Sequence, residues 1–138
     1  MNFVNAIFLP MAAHAVLVFI LYGLLFVRRK QTIRSREAAI TYRDGGGEPE
    51  LSAKVNRNLA NQFEAPVLFH AACIVLYLLD ADNVATLGLA WFFVATRYAH
   101  TYVHVTSNRL SLRAPLFAVG LLSLAILWVW IIAFIVLS

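Results

Sequence analysis

From Pro115 to Leu137 the chain carries no charged residue. A helix crossing the hydrocarbon core of a bilayer needs about 20 such apolar residues, roughly 30 Å at about 1.5 Å per residue. Three further segments come close to this pattern, at about 3–27, 59–79 and 84–105. In lipid, stretches this long must satisfy their backbone internally, which leaves the helix as the element. The chain is 62% hydrophobic with a mean hydropathy of +0.76, well above the roughly half-apolar composition of a soluble domain. The expectation is an all-α integral membrane protein: one domain over 1–138, a four-helix bundle with helices at about 3–27, 59–79, 84–105 and 115–137. The first segment is not expected to be a cleaved leader, because it has no basic start, its apolar run is too long and it ends in Arg28-Arg29-Lys30, a stop-transfer pattern.

Charge gives the expected orientation. Every Lys and Arg except Arg97 lies between Arg28 and Arg57 or at Arg109 and Arg113. The connection between the second and third helices is short and acidic, with Asp80 and Asp82. The positive-inside rule then places loops 28–56 and 106–114 in the cytoplasm and both termini on the opposite side. The net charge of +4 is this topology signal, with some attraction to anionic lipid, and calls for no nucleic-acid partner. Gly45-Gly46-Gly47-Glu48-Pro49 reads as a turn at the tip of the first loop. Cys73 is the only cysteine, so no intrachain disulfide forms, and it reads as a small buried hydrophobe. Pro66 reads as a bend after a polar turn, and Pro115 as a first-turn proline of the last helix.

Two polar stripes interrupt the apolar pattern. Arg57, Asn61 and Glu64 recur at i, i+4, i+7, one face of a helix. Glu64 then sits about 10 Å deeper than Arg57 along the axis. A carboxylate inside a bilayer costs on the order of 3 kcal/mol or more, so it should face protein or a wet cavity and have a partner. Arg97, His100 and His104 form the second stripe, at i, i+3, i+7. Pairing Glu64 with Arg97 would offset two desolvation costs. The remaining groups suggest a polar pocket rimmed by Arg28, Arg109 and Arg113. Guanidinium groups suit carboxylates, and a carboxylate suits an ammonium. A small, peptide-like anion such as glutathione fits that inventory, and so does another anionic amphiphile.

The pattern R-x-x-x-N-x-x-E at Arg57, Asn61 and Glu64, followed by Pro66 and Phe69, resembles the second helix of the MAPEG family, membrane-associated proteins in eicosanoid and glutathione metabolism. The stretch R-x-x-H-T-x-x-H at Arg97, His100, Thr101 and His104, then Arg113-Ala114-Pro115, is similar to that family's third and fourth helices, closest to the microsomal glutathione transferase and prostaglandin E synthase type. The resemblance covers essentially the whole chain. It implies a homotrimer that binds glutathione, as co-substrate, between subunits near the cytoplasmic face, and a small lipophilic second substrate. It implies that Arg28, Arg57, Asn61, Glu64, Arg97, His100 and His104 line the glutathione site. It implies that an arginine at the start of the last helix, Arg113 or else Arg109, stabilises the thiolate. His104 departs from the pattern, standing where family members often carry tyrosine, and this puts the chemistry in question more than the fold.

Two other readings compete. His100 and His104 at i, i+4, with His70 and His14, have the spacing of metal ligands, yet the sequence supplies no matched ligand set, and no metal is expected. A non-catalytic membrane protein of the same fold would use the polar stripes for assembly or lipid binding.

Overall fold

The computed structural model describes residues 5–34, 39–40 and 43–138. The expected helix start at residue 3 and parts of the first loop fall outside them. The principal helices are α1 (Phe8–Arg34), α2 (Glu50–Asn61), α3 (Ala65–Leu78), α4 (Val84–Val105) and α5 (Leu110–Leu137). No strand occurs among the described residues.

The second of the four expected helices is in fact two. It begins at Glu50 rather than near Leu59, and it is interrupted between Asn61 and Ala65. Pro66 explains the interruption: it has no N–H to give to the carbonyl four residues back, and its ring crowds that turn. The helix stops at Gln62 and restarts with proline in its first turn, where the missing donor costs nothing. The first loop is correspondingly shorter than 28–56, because α1 runs on to Arg34 and α2 reaches back to Glu50.

The last helix also starts earlier than expected. Leu110 opens it, so Pro115 lies inside the helix and not in its first turn. Asn108 stands at φ 51°, a left-handed position that asparagine tolerates. At the other end of α4, Asn83 forms a capping box with Thr86: its Oδ1 accepts from Ala85 N at 2.9 Å and Thr86 N at 3.1 Å, and Asn83 N donates to Thr86 Oγ1 at 2.8 Å.

Packing follows small and apolar stripes. α5 buries Gly120, Ser123, Leu124, Leu127 and Ile131 and leaves most of its circumference bare. It packs most extensively on α4. A Cβ on Gly120 would lie 2.6 Å from Thr96 Oγ1, so only glycine permits this closeness. Phe69 and Phe93 stack at 4.5 Å in a cluster that joins α3, α4 and α5. Leu21 and Leu25 pack with Val55 and Leu59 in a second cluster between α1 and α2. Outside, Phe19, Leu78 and Val136 are more than two-thirds exposed, as lipid-facing side chains are.

Phe8–Arg34, Glu50–Leu78 taken across its break, and Leu110–Leu137 are each long and apolar enough to cross a membrane. α4 has 22 residues but a polar buried face, and it does not reach the apolarity of the other three.

Candidate functional site

The break after α2 positions the interior polar groups. Asn58 and Gln62 sit one helical turn apart on the inner face of α2, both fully buried. Gln62 Nε2 donates to Asn58 Oδ1 at 2.8 Å and to the Asn58 carbonyl at 3.1 Å. Thr101 Oγ1 donates to Asn58 Oδ1 at 3.1 Å, which ties α2 to α4. On its other side Gln62 Oε1 meets His14 Nε2 at 3.2 Å and Arg97 Nε at 3.4 Å. His14 Nδ1 in turn lies 3.0 Å from His70 Nε2. One network therefore joins α1, α3 and α4 through the residue at the break. Buried polar groups are tolerated when paired in this way.

Arg97 is 2% exposed. Its Nη2 donates to the Asn61 carbonyl at 3.3 Å, and its guanidinium lies 5.8 Å from the centre of the Phe117 ring. Asn61 is the last residue of α2, where carbonyls lack intrahelical partners and the helix dipole favours a cation. The expected Glu64–Arg97 ion pair is not made. Glu64 is exposed and caps α3 without a side-chain hydrogen bond.

One turn and two turns beyond Arg97 come His100 and His104, 3% and 2% exposed. Their rings are perpendicular, with centres 5.7 Å apart. His100 Nδ1 and both nitrogens of His104 have no hydrogen-bond partner. Buried polar atoms left unpaired cost about 1–3 kcal/mol each, which makes these three the candidate contacts for a bound group or water. Phe117 flanks His100 at 6.1 Å. The charge of Arg113 reaches both imidazoles, and His104 also feels Lys54, Arg57 and Arg97.

The predicted residues are only partly brought together. Arg97, His100, His104 and Arg113 converge. Arg113 is half-buried and donates to Asn108 Oδ1 at 2.7 Å, whereas Arg109 is exposed at the start of α5. Arg57 is exposed and paired with Glu50 at 3.0 Å. Asn61 is half-buried and Arg57 and Glu64 are exposed, so this stripe lies on the outer side of the chain, although the Arg57 charge still reaches His104 and the Glu64 charge Arg97. Arg28 is half-buried near the end of α1. Reading the sequence alone misses Asn58, Gln62 and their link to His14, although Asn58 and Gln62 form their own i, i+4 pair one position along from Arg57 and Asn61. Among the described residues no three His, Cys, Asp or Glu side chains cluster as metal ligands would. The histidines form two separate pairs.

Apolar outer surfaces and a buried, cationic, hydrogen-bonding interior define an integral membrane protein of helical-bundle type. The sequence profile of the MAPEG family matches residues 7–133, and the chain belongs to that family. A search of curated proteins found no match, and a search of solved structures found none.

Proposed function

We propose that the protein is a glutathione-dependent transferase or peroxidase of the microsomal glutathione transferase and prostaglandin E synthase type, acting on a lipophilic electrophile or hydroperoxide. One observation carries this reading: two fully buried imidazoles with three unpaired nitrogens lie within reach of Arg113 and Arg97. Such a site favours an anion that also offers hydrogen-bonding groups.

In this reading Arg113 lies nearest the glutathione sulfur and Arg109 is the second choice. Arg113 is half-buried, so its Coulomb attraction to a thiolate is less screened than that of exposed Arg109. The thiol proton passes to water, the sulfur forms a bond to the electrophilic carbon of an apolar substrate arriving from lipid, and the electron pair displaced from that carbon leaves with a departing anion or, in an addition, is protonated by water at the neighbouring atom. The outward stripe of Arg57, Asn61 and Glu64, with Arg28, contributes from a neighbouring subunit of a homotrimer. That arrangement accounts for polar groups that face away from their own interior. The basic loops lie on the cytoplasmic side, as the charge bias favours.

A non-catalytic membrane protein of the same fold is favoured by one observation, the engagement of Arg57 with Glu50 on an outward face. Calorimetry with glutathione on the detergent-purified protein separates the two. Saturable binding that is lost in Glu64→Gln supports the glutathione site. No binding by a well-folded oligomer removes it and returns the stripe to assembly.

A further inference from the structure

The groove between α1 and α3 has a polar floor that the proposed thiol site does not use. It encloses about 340 Å³, within the size range of small-molecule sites. Its walls are Val18, Phe19, Phe63 and Val67, of which Phe19, Phe63 and Val67 are more than half exposed. Its floor is His14, Gln62 and His70. The groove lies between two segments apolar enough to span a membrane, so a lipid-soluble molecule is the small ligand suited to it.

The direction of every hydrogen bond on this floor can be read from one end. Arg97 can only donate, so the Gln62 atom it meets is the carbonyl oxygen. The amide nitrogen of Gln62 then faces the Asn58 carbonyl, which can only accept, and this agrees. His14 Nε2 meets the same Gln62 oxygen and must carry a hydrogen. Among the described residues no carboxylate bonds to either ring, and a charged imidazole between two apolar spans would go uncompensated, so both rings are treated as neutral. Neutral His14 therefore has a lone pair on Nδ1. His70 Nε2, 3.0 Å away, must donate to it. That leaves the lone pair of His70 on Nδ1, which has no partner among the described residues. His70 is half-buried and lines the groove.

We propose that this groove binds a lipid-soluble molecule carrying an O–H group, with its hydroxyl donating to His70 Nδ1 and its apolar body along Phe19, Phe63 and Val67. The occupant class is a long-chain alcohol. Molecules with acceptors alone, such as ethers and esters, are excluded, because two lone pairs would face each other. The inference does not depend on the glutathione reading, since Arg97 and Gln62 fix the polarity whatever occupies the thiol site.

The test uses the purified protein in lipid nanodiscs, with a photoreactive long-chain alcohol as probe and two competitors: an unlabelled alcohol and its methyl ether. The alcohol should displace the probe at a concentration at least about tenfold below that of the ether, as expected for one hydrogen bond in an apolar site. His70→Phe should abolish the difference. His14→Phe should shrink it, by freeing His70 to present N–H. Nitrogen-15 NMR of labelled histidine should find His70 Nδ1 unprotonated and shifted when the alcohol is added. Equal potency of alcohol and ether, no displacement by either (the result if a second copy of the chain covers the groove), or a protonated Nδ1 would overturn the proposal. If the variants do not fold, the wild-type comparison and the nitrogen spectrum decide.

Discussion

Arg97 donates through Nη2 to the backbone carbonyl of Asn61 across 3.3 Å. A guanidinium in the interior of the bundle is thus held by the end of a helix and by an amide, not by a carboxylate. Neutral partners satisfy it because the Asn61 carbonyl is the last of α2 and lies at the negative end of the helix dipole.

Gln62 is accordingly the residue on which this arrangement depends most. Gln62→Leu removes an acceptor from Arg97 and His14 and a donor from Asn58. A loss of about 1–3 kcal/mol is expected, the cost of leaving buried donors without their acceptor, with the Asn61 carbonyl still holding Arg97. Thermal unfolding in detergent checks this. A second substitution, Arg97→Met in the Gln62→Leu background, should recover part of the loss, because no donor of Arg97 is then left without its acceptor.

Gly120→Ala should destabilise by about 1–3 kcal/mol, the usual cost of overpacking. The new methyl would meet Thr96 Oγ1 at 2.6 Å, and that hydroxyl is already bonded to the Phe93 carbonyl at 2.6 Å. Thr96→Ala removes the obstructing atom. The double variant should therefore be more stable than the sum of the two single changes predicts.

His104→Phe separates stability from binding. It replaces a buried imidazole with two unpaired nitrogens by an apolar ring. The variant is expected to unfold at the same or a higher temperature, by up to about 1–3 kcal/mol, since a desolvation penalty disappears. Glutathione binding by calorimetry should be lost in the same preparation.

Arg113→Ala should lower turnover with an electrophilic substrate by about tenfold or more, equivalent to about 1.4 kcal/mol of thiolate stabilisation. Arg109→Ala should change it little. The ultraviolet thiolate band of bound glutathione measures the same effect directly, and the reverse ranking would exchange the roles of the two arginines.

The first loop supplies a pH effect. The hydrogen bond from Arg29 Nε at 2.8 Å holds the Glu48 carboxyl below its ordinary value of 4.5. A carboxyl depressed in the folded state stabilises the fold above its unfolded pKa, and this contribution is lost as pH falls through the lower folded value. Glu48→Gln should cost at most about 1 kcal/mol at pH 7, because the pair is partly exposed. The cost should vanish in strong acid, as comparative unfolding at the two pH values would show.

Much of the fold was legible because bilayer crossing leaves a plain mark in composition. The apolar run to Leu137 and the acidic turn at Asp80 and Asp82 place helices to within a few residues. Pro66 in the sequence suggests a bend, yet its exclusion of a turn at Gln62 divides the helix outright. The stripe of Arg97, His100 and His104 is buried on one face, as its spacing required. The stripe of Arg57, Asn61 and Glu64 shares a face too, but periodicity does not say which way a face points. The inward face was the neighbouring one, with Asn58 and Gln62. Their side chains are neutral, and neutral groups are cheaper to bury than the charged ones beside them.

The modest apolarity of α4 bears on how the chain is made. Arg97 near the middle of a span costs about 2.5–3.5 kcal/mol on insertion scales, and His100 and His104 add to that. α5, its main packing partner, carries the uncharged run from Pro115. The two are expected to enter the bilayer together, as a hairpin turning at Ser107–Arg109, with α4 waiting at the translocon until α5 has been synthesised. A nascent chain halted before Leu110 should leave α4 accessible to a glycosylation or protease tag that the longer chain shields.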